Sequence, residues 1–260
     1  MNNTKIEWCD MTWNPVTGCK HGCEYCYARR IAERFAPRLN DGSIAKVDGV
    51  CDIKNTNIPY PYGFAPTFYR NRLSEPQHTK KPQNIFVCSM ADLFGEWVPQ
   101  EWIDEIRVAC SKADWHNYLF LTKNPSGYEK IYKYELDYSP YFWFGTTVTD
   151  DASFAERGYE LFEVTHGCRQ PHRFLSIEPL HGQIKEKSLR NACLLDWIII
   201  GAETGNRKGK VTPKREWIDD IVSACDRGGV PVFMKNSLIP IMGEENMRRE
   251  FPKGMKGVNT

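Results

Sequence analysis

The sequence predicts an α/β fold built around a parallel sheet, open or closed into a barrel. Two observations carry this reading. Short apolar runs rich in β-branched and aromatic residues recur along the chain, as buried strands do. Amphipathic helical patterns lie between several of them, and the runs start about 25 to 35 residues apart, the length of a strand–helix unit.

The elements follow in order. A first strand is predicted near Met11–Pro15, and a helix over Tyr27–Ala36 with Pro37 as its stop. Residues 37–80 break the rhythm with many Pro, Asn and Tyr residues. They read as a long insertion between the first helix and the second strand, either functional or tolerated decoration. Six apolar runs come next: Asn84–Ser89, Asn117–Thr122, Tyr141–Thr147, Arg173–Ile177, Asp196–Gly201 and Val230–Met234. Glu101–Ala113 places Trp102, Ile106, Ala109 and Cys110 on one helical face, with Pro99 near its start. Pro213–Arg227 has Thr212 as N-cap, Pro213 at N1, a stripe of Trp217, Ile218, Ile221, Val222 and Cys225, and Gly228-Gly229 as its end. The 260 residues suit one domain, 1–260.

The 34 basic and 33 acidic side chains leave a net charge of +1. That excludes a broadly basic surface as the main device and leaves room for local grooves. No run of about 18 apolar residues exists, so no membrane-spanning helix is predicted. The N-terminus lacks the apolar core of a signal peptide, which predicts a cytoplasmic protein. Ten cysteines in a reducing compartment argue against a disulfide framework. Seven are scattered (Cys9, Cys51, Cys88, Cys110, Cys168, Cys193 and Cys225) and read mainly as packing. Cys19, Cys23 and Cys26 are clustered, with the spacing C-x3-C-x2-C.

Ligands of parallel α/β folds sit at the carboxyl ends of the strands. The polar residues there are Ser89 and Asp92, then Thr122 and Lys123, then Thr146, Thr147 and Thr149. Ser176 and Glu178, Gly201 and Glu203, and finally Lys235 follow. Together they predict a lined cavity. Three soft thiolates within eight residues suit one metal centre. Structural zinc normally takes four ligands, and His21 as the fourth would be strained inside the loop. A cluster held by three cysteines instead leaves one iron open to a substrate or cofactor.

C-x3-C-x-aromatic-C between a first strand and a helix resembles the radical S-adenosylmethionine (SAM) superfamily. The resemblance implies a partial (β/α)6 barrel and a [4Fe–4S] cluster on Cys19, Cys23 and Cys26. It implies SAM bound to the fourth iron, cleaved to a 5′-deoxyadenosyl radical that abstracts hydrogen from the substrate. An external one-electron reductant such as flavodoxin or ferredoxin is implied as a partner. Implied SAM contacts are Asp92 and Ser89 for the amino group, then Thr146, Thr147, Ser176 and Glu178 for ribose and carboxylate. Backbone near Gly201 and Glu203 is implied for adenine, and Tyr25 packs against cluster or adenine or else in the core. Lys123 and Lys235 are candidates for a substrate carboxylate or phosphate, or are solvated charges. Cys88 is a candidate hydrogen donor, or packing.

The blocks Thr12-Trp13-Asn14-Pro15, 86–94 (FVCSMADLF), 120–125 (FLTKNP), 174–182 (FLSIEPLHG) and 197–205 (WIIIGAETG) resemble an uncharacterised radical-SAM-like family common in bacteriophages and prophages. Many members have a longer gap between the first two cysteines than this chain has. The resemblance implies a nucleic-acid base or nucleotide as substrate, in phage-type DNA hypermodification within a bacterial or phage-infected cell. A small metabolite or protein substrate, and a non-catalytic zinc or Fe–S module, stay open as alternatives. Two basic segments bear on the choice. Arg207-Lys208-Gly209-Lys210 continues to Lys214-Arg215, and Arg70, Arg72, Lys80 and Lys81 lie beside Phe68 and Tyr69.

Overall fold

A computed structural model describes residues 1–132, 140–166 and 171–255. Eleven strands are present among them. They are β1 (Asn2–Asn3), β2 (Met11–Trp13), β3 (Val16–Thr17), β4 (Cys51–Ile53), β5 (Thr67–Tyr69), β6 (Asn84–Val87), β7 (Asn117–Thr122), β8 (Phe142–Val148), β9 (His172–Ile177), β10 (Trp197–Ile200) and β11 (Val232–Met234). Eight form one sheet in the order β1-β2-β6-β7-β8-β9-β10-β11. β1 is antiparallel to β2, and all the other neighbours are parallel. The predicted α/β fold with a parallel sheet is therefore present. The sheet does not close by strand pairing, but it curves strongly. Glu7, ahead of β2, accepts hydrogen bonds from the Asn236 N–H (2.8 Å) and from Arg249 (3.1 Å), both beyond β11.

Strand alternation divides the core. Ile85, Val87, Tyr118, Phe120, Phe142, Phe144, Leu175, Ile177, Ile198, Ile200, Val232 and Met234 face the helices. Phe86, Leu119, Trp143, Phe174, Trp197, Ile199 and Phe233 fill the other, inner face with Trp8 and Cys9. Both faces are apolar, as a parallel sheet covered on both sides requires. The inner face is rich in aromatics, and Gly145 shows how tightly it packs. Gly145 pairs with Leu121 on one side and Phe174 on the other, and a Cβ there would lie 2.3 Å from the Phe174 ring.

The helices lie close to their predicted bounds. Tyr27–Phe35 turns the chain back towards β6, and Gln100–Ser111 buries Trp102, Ile106, Ala109 and Cys110 as predicted. Arg215–Gly228 starts two residues later than predicted. Lys214 is its N-cap, with no side-chain cap, in place of Thr212. Gly229 closes it in the left-handed conformation, φ 66°.

The 37–80 segment is more than a loop. Its β4 and β5 join β3 in a separate three-stranded sheet, β3-β5-β4. Phe68 enters the main core, so the segment is packed against the first strands. Cys9, Cys88, Cys110 and Cys225 are buried, as packing residues are, and Cys51 is half-buried. Cys193 is exposed, against the packing expectation, because it lies on a short outer turn at Arg190–Leu194. Cys168 lies outside the described residues. The described cysteines are all free thiols.

Candidate active site

A cavity of about 770 Å³ opens at the carboxyl ends of the strands. It is lined by Cys19, Cys23 and Cys26, by Tyr25, Ser89, Asp92 and Lys123, and by Thr147, Ser176, Glu178, Glu203 and Lys235. The elements that bring them together are the loop after β3 and the loops ending β6, β7, β8, β9, β10 and β11.

The cysteine loop is built from backbone constraints. Gly18 has φ 89°, a conformation open to glycine, and its N–H donates to Met90 O at 2.8 Å. Cys19 N–H donates to Phe64 O at 3.2 Å, so the insertion holds one edge of the loop. The Cys26 side chain caps the Tyr27–Phe35 helix, with its sulfur 3.3 Å from Arg29 N–H. His21 N–H lies 3.5 Å from Cys19 Sγ. Burial pushes the Cys19 thiol up to about 12, against that N–H donor, which lowers it.

Asp92 ties this loop to the sheet. Its Oδ1 accepts from Thr122 Oγ1 (2.6 Å) and Phe94 N–H (3.1 Å). Its Oδ2 accepts from Lys123 N–H (2.9 Å) and faces His21 Nε2 (2.7 Å). Four donors occupy a carboxylate with about four lone-pair positions. Asp92, expected to receive an ammonium group, lines the cavity with both oxygens already accepting from the protein's own donors. Ser89 keeps a place on the cavity, with its hydroxyl 3.2 Å from Asn14 Oδ1.

Three polar clusters line the remaining wall. The Lys123 ammonium donates to the Tyr25 hydroxyl and reaches Cys23 Sγ at 3.0 Å, 4.5 Å above the Tyr25 ring. Burial works against the Lys123 charge, but the Tyr25 and Cys23 partners outweigh it and raise the group above its ordinary value. Glu178 and Lys235 form an ion pair, so Lys235 carries a carboxylate already. Glu203 is buried and accepts from Arg207 Nε (2.7 Å) and Nη2 (2.8 Å), with His181 Nε2 at 3.1 Å. The Arg207 guanidinium, with smaller help from His181, holds this carboxyl down at about 2 against its own desolvation.

Three predicted residues are not brought to the cavity. Thr146 faces the helix side and donates to Thr122 O at 2.9 Å, because alternation sends it opposite to Thr147. The Gly201 N–H and carbonyl are engaged by Ile177 O and Leu180 N–H. Cys88 has φ 57° and packs into the helix-side core, where burial pushes its thiol up to about 12. It is not among the residues that line the cavity.

Residues that the sequence reading passed over are also present. Asn14 accepts from Ser89 Oγ and Met90 N–H through one oxygen, and it sits in the Thr12-Trp13-Asn14-Pro15 block that had already drawn attention. Trp8 lines the cavity, is 2% exposed, and its indole N–H has no partner among the described residues. A buried donor left unpaired costs about 1–3 kcal/mol. Nothing short-range in the sequence marks Trp8.

Three thiols on one cavity wall are donors of the kind a cluster or a soft metal ion takes. No group of three or more His, Cys, Asp or Glu side chains converges on one ion among the described residues. His21, the only candidate fourth zinc ligand in the loop, is engaged by Asp92. Three soft thiols instead stand on one cavity wall, two of them beside backbone N–H groups.

The fold is similar to that of spore photoproduct lyase complexed with dinucleoside spore photoproduct, at 10% identity and a TM-score of 0.54, over 90% of this chain and 79% of that one. A cysteine-to-alanine mutant of that lyase with the same dinucleoside gives a TM-score of 0.57 at 10% identity, over the same shares. A double mutant with bound AdoMet and dinucleoside spore photoproduct gives 0.50 at 10% identity, over 90% and 78%. No curated protein matches the sequence. Residues 3–248 match a family described as protein of unknown function (DUF5131), and with nearly the whole length covered the chain belongs to that family.

Proposed function

We propose that the chain is a radical SAM enzyme acting on a nucleic-acid base or nucleotide. The observation that carries this reading is the shared cavity. Cys19, Cys23 and Cys26 stand there beside polar residues from the ends of β6 to β11. These three cysteines would hold a [4Fe–4S] cluster, which with SAM supplies a 5′-deoxyadenosyl radical for hydrogen abstraction.

The chain's own residues then divide the work. Lys123 sets a positive charge against Cys23 and fixes Tyr25 at the cavity wall. Ser89 offers a hydroxyl to the SAM amino group. Thr147 and Ser176 are register partners on β8 and β9, and present two hydroxyls to ribose or carboxylate oxygens. Glu178 with Lys235, and Glu203 with Arg207, keep charges on the wall paired, so that a neutral base enters without facing an unbalanced one.

The fold likeness supports the choice of substrate class, since the similar lyase carries AdoMet and a dinucleoside lesion in one structure. Base modification of the kind implied for phage DNA is the matching role for this chain, fed by an external one-electron reductant. The test is anaerobic reconstitution. About four irons per chain are expected, with 5′-deoxyadenosine released on adding dithionite and SAM. Both are expected to be lost in Cys19→Ala, Cys23→Ala and Cys26→Ala. A colourless chain holding one zinc ion overturns the reading.

A further inference from the structure

The Tyr27–Phe35 helix, directly after the cysteine loop, is amphipathic with its sizes reversed. It buries only small residues: Ala28 and Ala32 pack against Phe64 and Met90, and Ala36, just beyond its end, is buried too. Its large apolar side chains face out, with Tyr27 45%, Ile31 37% and Phe35 57% exposed. Spaced i, i+4, i+8, they form one row about 6 Å per step. Arg30 and Arg34 are exposed one turn apart beside it, and Arg38 follows just past the helix end, where it donates to Glu33 O. A soluble helix normally buries its large apolar groups, so a row running from the cavity wall at Tyr27 and Ile31 to the open surface at Phe35 marks a face that is covered in use.

Charge identifies what covers it. Among the described residues no carboxylate pairs with Arg30, Arg34 or Arg38, whereas Arg70 of the other basic segment is held by Asp52 and Glu105. The Arg207–Lys210 segment lies alongside. A Cβ on Gly205 would sit 3.4 Å from the Arg30 guanidinium, and Arg207 reaches Glu24 at 3.3 Å. Lys208 and Lys210 are exposed there. The row also has a direction, because Tyr27 and Ile31 line the cavity and Phe35 leads away from its mouth.

We infer that this helix face is a track for single-stranded nucleic acid that feeds one base into the cavity. Arginines neutralise successive phosphates, while Tyr27 and Phe35 offer faces for stacking, which tolerates any base sequence. The inference rests on the proposed function for its substrate class, but its test does not need the chemistry to run.

Anisotropy of the anaerobically purified full chain is measured with labelled single-stranded DNA, the same sequence as RNA, and the duplex. Single strands are expected to bind more tightly than duplex, with affinity falling as salt rises. The double variant Arg30→Gln/Arg34→Gln is expected to bind about tenfold or more weakly, with the log–log salt slope reduced by about 1.4. Phe35→Ala is expected to weaken binding about tenfold with an unchanged slope, since stacking releases no counterions. Lys112→Gln, exposed elsewhere, serves as the control. Preference for duplex, no salt-dependent binding, or variants that bind as wild type overturn the track. So does a dimer, seen by light scattering, that Phe35→Ala dissociates. Iron content and 5′-deoxyadenosine release are followed in parallel. Variants that keep both while losing the strand support the track; strand binding by a chain that holds no iron supports the track and overturns the radical reading.

Discussion

Glu203 accepts two hydrogen bonds from Arg207 and faces His181, which holds its carboxyl at about 2. The folded value lies below the ordinary one near 4.5. Its contribution is therefore complete above about pH 4.5 and is lost as pH falls through about 2. Glu203→Gln is expected to lower the melting temperature at neutral pH by about 2–4 °C. It should also flatten the acid limb, so that wild type and variant converge near pH 2. Thermal melts of the metal-free chain across that range check this; parallel limbs would show that the pairing does not stabilise the fold. The Glu203–Arg207 contact has i,i+4 spacing and both residues were visible as candidates in the sequence. The Asp92–His21 contact was not, because it joins residues 71 apart. The chemistry of each side chain could be read, but its partner could not. Asp92 looked free for a ligand for that reason.

Strand alternation explains the next level of hits and misses. The apolar runs marked the strands to within about two residues, because buried parallel strands are apolar on both faces and stand out from their loops. The same continuity hid which face each residue takes. Thr146 and Thr147 were indistinguishable in sequence, yet Thr147 lines the cavity and Thr146 does not. Register decides this, and Thr147 opposite Ser176 is the pair it selects. Gly145 belongs to the same register, as the gap in β8 that receives the Phe174 ring from β9. Gly145→Ala puts a methyl group into that ring and is expected to cost about 1–3 kcal/mol. Trimming the ring as well, in Gly145→Ala/Phe174→Leu, should recover part of the loss. Denaturant titration of both variants and of Phe174→Leu alone measures the coupling; additive effects would mean that the ring moves aside freely.

The whole molecule is two sheets meeting at the cysteine loop. The eight-stranded sheet supplies the cavity wall, and the three-stranded sheet from the insertion grips the loop from the other side. Composition marked the insertion as irregular, but only its pairing with β3 reveals that it braces the site. Gly18 is the contact between the two units. Its N–H reaches Met90, it bridges to Ala91, and a Cβ there would lie 2.3 Å from the Ala65 carbonyl oxygen. That neighbour is backbone and cannot rotate away, and φ of 89° adds a penalty for any side chain. Gly18→Ala is therefore expected to lose about 3 kcal/mol while keeping the far-ultraviolet spectrum of the main sheet. If the insertion braces the loop, iron bound after reconstitution should fall in proportion as the two units separate. Gly22, with a positive φ and nothing within 4 Å of its Cβ position, is the matched comparison. Gly22→Ala meets the conformational cost without the clash, and should retain most of its iron. Equal losses at the two positions would assign the effect to loop conformation alone and remove the brace.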